Sequence, residues 1–119
     1  MKIILADQYG LCFGVRDAIA EAKRLAQHEP LTILGELAHN PLVVEQLADA
    51  GVLQGSLESI GGAPTSRVMI TAHGASHRAR ASWGEAGYTV IDGACPLVRQ
   101  AHAQLRKLVA EGCSPVVIG

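Results

Sequence analysis

Four side chains in this 119-residue sequence have the chemistry and the setting to form a site: Cys12, His39, His73 and Cys95. Cys12 lies between two glycines in Gly10-Leu11-Cys12-Phe13-Gly14-Val15, and Cys95 stands in Ala94-Cys95-Pro96. Each is placed where a helix is expected to begin. A sulfur there meets the positive end of a helix dipole and unpaired backbone N–H groups, a setting that suits a metal ligand or a nucleophile. His39 in His39-Asn40-Pro41 and His73 in Ala72-His73-Gly74 occupy similar turns, where an imidazole can donate to an anion. Soft sulfur donors beside an anion pocket are the expected combination. Each residue also has a plain structural reading: a buried thiol, a helix brace or a turn residue.

The elements that must position these residues alternate along the chain. Lys2–Ala6 is a nearly continuous apolar run of the kind found in a buried parallel strand. A helix follows through Val15, Ala18, Ile19, Ala22, Leu25 and Ala26 and stops before Pro30. Leu31–Leu34 reads as a strand, and Asn40-Pro41 as a cap and first helical residue of a helix ending at Gly51. Val52-Leu53 is a short strand candidate, and 54–66 is a loop. Arg67–Thr71 is a strand, Ser76 caps a helix to about Ala86, and Tyr88–Ile91 is the next strand. Pro96 opens a helix with apolar positions Leu97, Val98, Ala101, Leu105, Leu108 and Val109, closed by Gly112, and Pro115–Ile118 reads as a last strand.

This rhythm specifies an α/β domain whose mostly parallel sheet is flanked by helices. All four candidate residues are then expected at strand-to-helix junctions on the carboxyl edge of the sheet, where such folds bind ligands. Cys113, at the other end of a strand, is expected to be structural. So are Trp83 in packing, His102 as a partly buried histidine, and His28 and His77 toward solvent.

Ten basic and eleven acidic residues, with net charge -1, give no phosphate-backbone stripe, so nucleic acid is not the expected partner. No apolar run reaches the roughly 18 residues of a membrane span or the length of a signal segment, and the chain reads as cytoplasmic. Three widely spaced cysteines do not make a disulfide framework. A final apolar strand with no helix after it leaves one face uncovered, so the chain is expected to be part of a longer protein.

In order along the chain, the Gly10–Val15 motif with Ala18-Ile19, then His39-Asn40-Pro41 with Val43-Val44 and Leu47, then Ala72-His73-Gly74, then Cys95-Pro96-Leu97-Val98 with His102 resemble the motifs of the LytB-type 4-hydroxy-3-methylbut-2-enyl diphosphate reductases. The resemblance implies three similar α/β domains around a [4Fe–4S] cluster, with Cys12 and Cys95 as two of its three cysteine ligands. Three ligands leave one iron open for the substrate. It further implies that His39 and His73 hold the substrate diphosphate and that a small ferredoxin or flavodoxin supplies electrons. The reaction is reductive dehydroxylation to isopentenyl and dimethylallyl diphosphate in the methylerythritol phosphate pathway. By the same resemblance residues 1–95 form the first domain and 96–119 open a second, while the third cysteine and further substrate contacts fall outside this chain, leaving it inactive alone. Leu11 and Gly93-Ala94 depart from the family's usual aromatic and Ala-Thr, as variations tolerable in packing. Two other readings stay open: a non-catalytic α/β remnant that keeps the anion pocket, and a zinc-binding domain built from Cys12, His39, His73 and Cys95.

Overall fold

The computed structural model describes residues 1–7 and 9–116. Its elements run α1 (Phe13–Ala26), β1 (Leu31–Leu34), α2 (Pro41–Asp49), β2 (Val52–Gly55), β3 (Arg67–Ile70), α3 (His77–Glu85), β4 (Thr89–Asp92) and α4 (Pro96–Ala110). The four strands form one parallel sheet in the order β2-β1-β3-β4. Parallel neighbours require crossovers, and the helices cover both faces as the α/β reading expects. Alternation along β1 sorts the core. Leu31 and Ile33 pack with Met69 and Val52 against Ala18 and Ala22 of α1 and Val43 and Leu47 of α2. Leu34 and Val68 face the other way, onto Trp83 of α3.

Local signals in the sequence set the element ends. The Asn40 side-chain oxygen accepts from the Leu42 N–H at 3.0 Å and Pro41 occupies the first helical position, a cap contributing about 1 kcal/mol. The Ser76 hydroxyl accepts from the Ala79 N–H at 3.1 Å. The hydroxyl of Thr32, buried within β1, lies 2.7 Å from that of Thr65, which donates onward to the Arg67 carbonyl at 2.7 Å, so no polar group is stranded there.

One expected strand is not formed among the described residues. Lys2–Ala6 has no strand pairing, and Ile3, Ile4 and Leu5 are 73%, 78% and 73% exposed. An apolar run becomes a strand only when a neighbour accepts its hydrogen bonds, and no strand of this sheet pairs with it. Cys12 therefore begins α1 from an extended segment rather than at a strand-to-helix junction. Of the expected strand 115–118, Pro115 and Val116 have no strand assignment and positions 117 and 118 lie outside the described residues.

The helix α4 forms over the expected residues but buries none of them: Leu97, Leu105, Leu108 and Val109 are all exposed. Its periodicity reported a helix correctly, but the sheet faces within this chain are already covered. His102 is exposed rather than partly buried, and Cys113 is an exposed thiol rather than a core residue.

Candidate functional site

Because every strand is parallel, the turns after β1, β3 and β4 share the carboxyl edge of the sheet, and α1, which leads back into β1, starts at that edge too. Cys12 is the N-cap of α1 and Cys95 the N-cap of α4, and neither thiol makes a capping hydrogen bond. Both sulfurs are free thiols at helix N-termini.

Gly14 joins the two helix starts. A Cβ placed on Gly14 would lie 2.6 Å from Cys95 Sγ and 2.8 Å from Cys95 Cβ, so Cys95 sits in a space that any larger residue would fill. Gly14 lies two residues after Cys12. The fold thus brings the residue two positions after Cys12 against Cys95, although 81 positions separate Gly14 from Cys95; Cys95 lines a cleft of about 190 Å³ and Cys12 a different, open one of about 560 Å³ with Tyr9 and Arg16.

Backbone hydrogen bonds tie Cys95 to the His73 turn. The Cys95 N–H donates to the Ala72 carbonyl at 3.0 Å, and the Gly93 N–H donates to Ile70 O at 3.0 Å. Gly74, at φ 78°, places its backbone against α4: a Cβ there would lie 3.2 Å from Val98 Cγ1 and 3.5 Å from His102 Cε1. The exposed His73 imidazole is carried on this same turn.

His39 stands apart. It lines a separate open cavity of about 450 Å³ with Ala38, Pro41 and Val44, none of them one of the other three candidates. Its side chain is 90% exposed and its Nδ1 contacts the Glu36 carboxylate. Among the described residues no three His, Cys, Asp or Glu side chains converge to hold a metal ion. The tetrahedral zinc reading, which needs both histidines beside both cysteines, is thus not assembled by this chain.

Asp92 is a residue that the sequence reasoning passed over. Its Oδ1 accepts from the Ala94 N–H at 3.1 Å, which shapes the turn carrying Cys95, and its Oδ2 accepts from Arg80 Nη1 at 2.8 Å. The Asp92-Gly93 pair was the available signal, since aspartate folds back onto the backbone two residues on. Asp92→Ala is expected to cost about 1–2 kcal/mol by orphaning these donors. It should also speed alkylation of Cys95, as its turn loosens. Asp92→Asn keeps the Ala94 bond and should cost less, which thermal denaturation and thiol-labelling rates would check.

Glu21 lines the cleft beside Cys95, and its carboxyl is held below the usual carboxylate range chiefly by hydrogen bonds from Arg24, at 2.6 and 2.7 Å. A lowered folded-state pKa stabilises the fold above the ordinary carboxylate pKa, and the benefit fades as pH falls through the folded value. The pair is solvent-exposed, so Glu21→Gln should change stability at neutral pH by no more than about 0.5 kcal/mol in a denaturant titration. The difference should vanish in acid.

Among known proteins, the family model described as LytB protein matches residues 3–119. The 4-hydroxy-3-methylbut-2-enyl diphosphate reductase of Brevibacillus brevis is 36% identical over 127 residues, covering 100% of this chain and 41% of that protein. The reductase of Desulfotalea psychrophila is 37% identical over 122 residues, covering 100% of this chain and 38% of that protein. A solved structure of (E)-4-hydroxy-3-methyl-but-2-enyl diphosphate reductase, described as the terminal enzyme of the non-mevalonate pathway, superposes with a TM-score of 0.75 at 31% identity, covering 92% of this chain and 39% of the other. The Plasmodium falciparum reductase superposes with a TM-score of 0.79 at 25% identity, covering 88% of this chain and 33% of the other. The chain spans about two fifths of the length of the curated relatives it matches.

Proposed function

This chain belongs to the LytB family, and from that premise we propose that it is the N-terminal part of a 4-hydroxy-3-methylbut-2-enyl diphosphate reductase, the source of isopentenyl and dimethylallyl diphosphate. In this reading Cys12 and Cys95 are two of three thiolate ligands of a [4Fe–4S] cluster, and the third comes from sequence beyond this chain. Residues 1–95 are the first domain. The helix α4 opens the second, and its uncovered apolar stripe belongs against that domain's remainder. The observation that carries the reading is the seating of Cys95 against Gly14, two residues after Cys12, with each cysteine the uncapped N-cap of its helix.

The donors suit the group: thiolates bind iron–sulfur clusters, and helix N-termini favour the negative charge that such a site gathers. A [4Fe–4S] cluster supplies Lewis acidity and relays the two electrons needed to remove an allylic hydroxyl. The net change replaces a C–O bond by C–H, taking up two electrons and two protons and releasing water. The chain's own residues bind and orient. His73, on the turn hydrogen-bonded to Cys95, and His39, after β1, donate to the diphosphate oxygens, and the helix starts add backbone N–H groups. Electrons come from a cytoplasmic ferredoxin or flavodoxin. Among the described residues no helix is long and apolar enough to cross a membrane.

The test is a chimera joining this chain to the remaining C-terminal part of the Brevibacillus brevis reductase, assayed anaerobically with an artificial low-potential reductant. Substrate turnover by the chimera, lost on Cys12→Ser or Cys95→Ser and absent from the 119-residue chain alone, is the expected result. Turnover that survives both substitutions would overturn the reading.

A further inference from the structure

The start of α3 and the flank of α4 enclose a cleft of about 140 Å³ lined by His77, Arg80, Asp92, Arg99, His102 and Arg106. Three guanidinium groups meet one carboxylate there. Asp92 is already engaged: Oδ2 accepts from Arg80 at 2.8 Å and Oδ1 from the Ala94 N–H, while Arg99 stands 4.0 Å away. Arg106 forms no ion pair among the described residues, and its Nη1 lies 2.5 Å from His77 Nε2. Guanidinium has no acceptor and keeps its proton, so this imidazole must accept through Nε2, and the pair leaves a positive charge unanswered. Counting Asp92 against the arginines, the cleft carries two uncompensated positive charges.

We propose that this cleft, which adjoins the His73 turn through Gly74 and lies apart from His39, is a binding site for a phosphoryl dianion, independent of the functional reading above. Guanidinium forks match tetrahedral phosphoryl oxygens, and a ligand of charge near -2 balances what the cleft leaves over, where a single carboxylate would balance only half. The residues come from positions 77 to 106 and converge only because α3 and α4 flank the same turn. Arg99 also lines the cleft beside Cys95, so an occupied site would sit next to the proposed cluster ligand.

The experiment is calorimetric titration of the 119-residue chain with inorganic phosphate at low salt, followed by the same titration with a monoalkyl phosphate ester. One site is expected, weakening as salt is raised because the groups are exposed to solvent. The double variant Arg99→Gln/Arg106→Gln is expected to bind about tenfold or more weakly, the loss for a charged hydrogen bond, while Arg78→Gln, which removes an exposed arginine of α3 that does not line the cleft, binds as before. Equal affinity for the inorganic ion and the ester identifies the free anion as a sufficient ligand; tighter binding of the ester identifies the head group of an organic ligand. Both support the site. No binding, or binding indifferent to the two arginines, overturns it. Far-UV circular dichroism confirms that these surface substitutions leave the fold intact.

Discussion

Replacing Trp83 by alanine is expected to cost about 3–5 kcal/mol, the largest effect of any single change to the fold. Trp83 is 1% exposed and forms the centre of the core on the α3 face, between Leu34 of β1 and Val68 of β3. Its indole meets the Tyr88 ring edge-on with centroids 4.8 Å apart, and its Nε1–H donates to the Leu57 carbonyl at 2.9 Å. Truncation therefore removes three things together: the transfer energy of a large apolar surface, an aromatic pair of about 0.5–1.5 kcal/mol, and the hydrogen bond that fixes the loop between β2 and β3. Domains of this size are stable by only about 5–15 kcal/mol, so the variant should unfold at much lower denaturant, or fail to fold at 37 °C. Trp83→Phe, which keeps most of the packing and the ring contact, should recover more than half of the loss. A chemical denaturation series on the three proteins checks the order.

The second large effect is expected at Gly14. Alanine is favoured over glycine by up to about 1 kcal/mol in a helix interior and by less at the second position of α1, so propensity alone makes Gly14→Ala mildly stabilising. The added Cβ, however, would stand 2.6 Å from Cys95 Sγ and 2.8 Å from Cys95 Cβ, and overpacking of that kind costs about 1–3 kcal/mol. Steric cost wins, because Cys95 cannot retreat freely: its N–H is bonded to Ala72 O and Pro96 follows it at once. The expected outcome is net destabilisation of up to about 2 kcal/mol with Cys95 displaced. Alkylation should separate the two thiols: the rate at Cys95 should change and that at Cys12 much less. A variant more stable than the parent, with unaltered labelling at Cys95, would show that Gly14 serves only the helix.

The seat of Cys95 marks the boundary of what the sequence discloses. Element types followed from local signals, since Pro30, Asn40-Pro41, Ser76, Gly87, Pro96 and Gly112 each act within one turn of their own position. The strands β1, β3 and β4 stand within a residue of where the structure has them, and the helix ends within two or three. Strand Lys2–Ala6 did not follow, because apolar composition states a need for burial without naming a partner, and no ladder among the described residues receives it. The same holds for α4, whose stripe of Leu97, Leu105, Leu108 and Val109 has nothing against it here.

For the site, strand-to-helix alternation put His39, His73 and Cys95 on one edge, and Cys12 reaches it through the start of α1 rather than after the expected strand, whereas the contact between Gly14 and Cys95 depends on the approach of two helices and leaves no periodic trace. Gly14 reads from sequence as a turn or packing glycine. His39 shares the edge but not a cavity with the others. Gly93 shows a further limit: a Cβ there would overlap the Ile70 carbonyl oxygen and crowd Met69, so close backbone packing calls for glycine at this position. The arginine cleft was invisible for a related reason, being assembled from α3, β4 and α4.

The central claim is that Cys12 and Cys95 form part of an iron–sulfur ligand set that this chain does not complete. Anaerobic reconstitution of the purified chain with iron and sulfide, followed by iron, zinc and acid-labile sulfide analysis, tests it most directly. The account predicts substoichiometric iron that a chelator strips readily, lost in Cys12→Ser and in Cys95→Ser but unchanged in Cys113→Ser. Stoichiometric zinc without iron, or iron binding indifferent to Cys12 and Cys95, would contradict it.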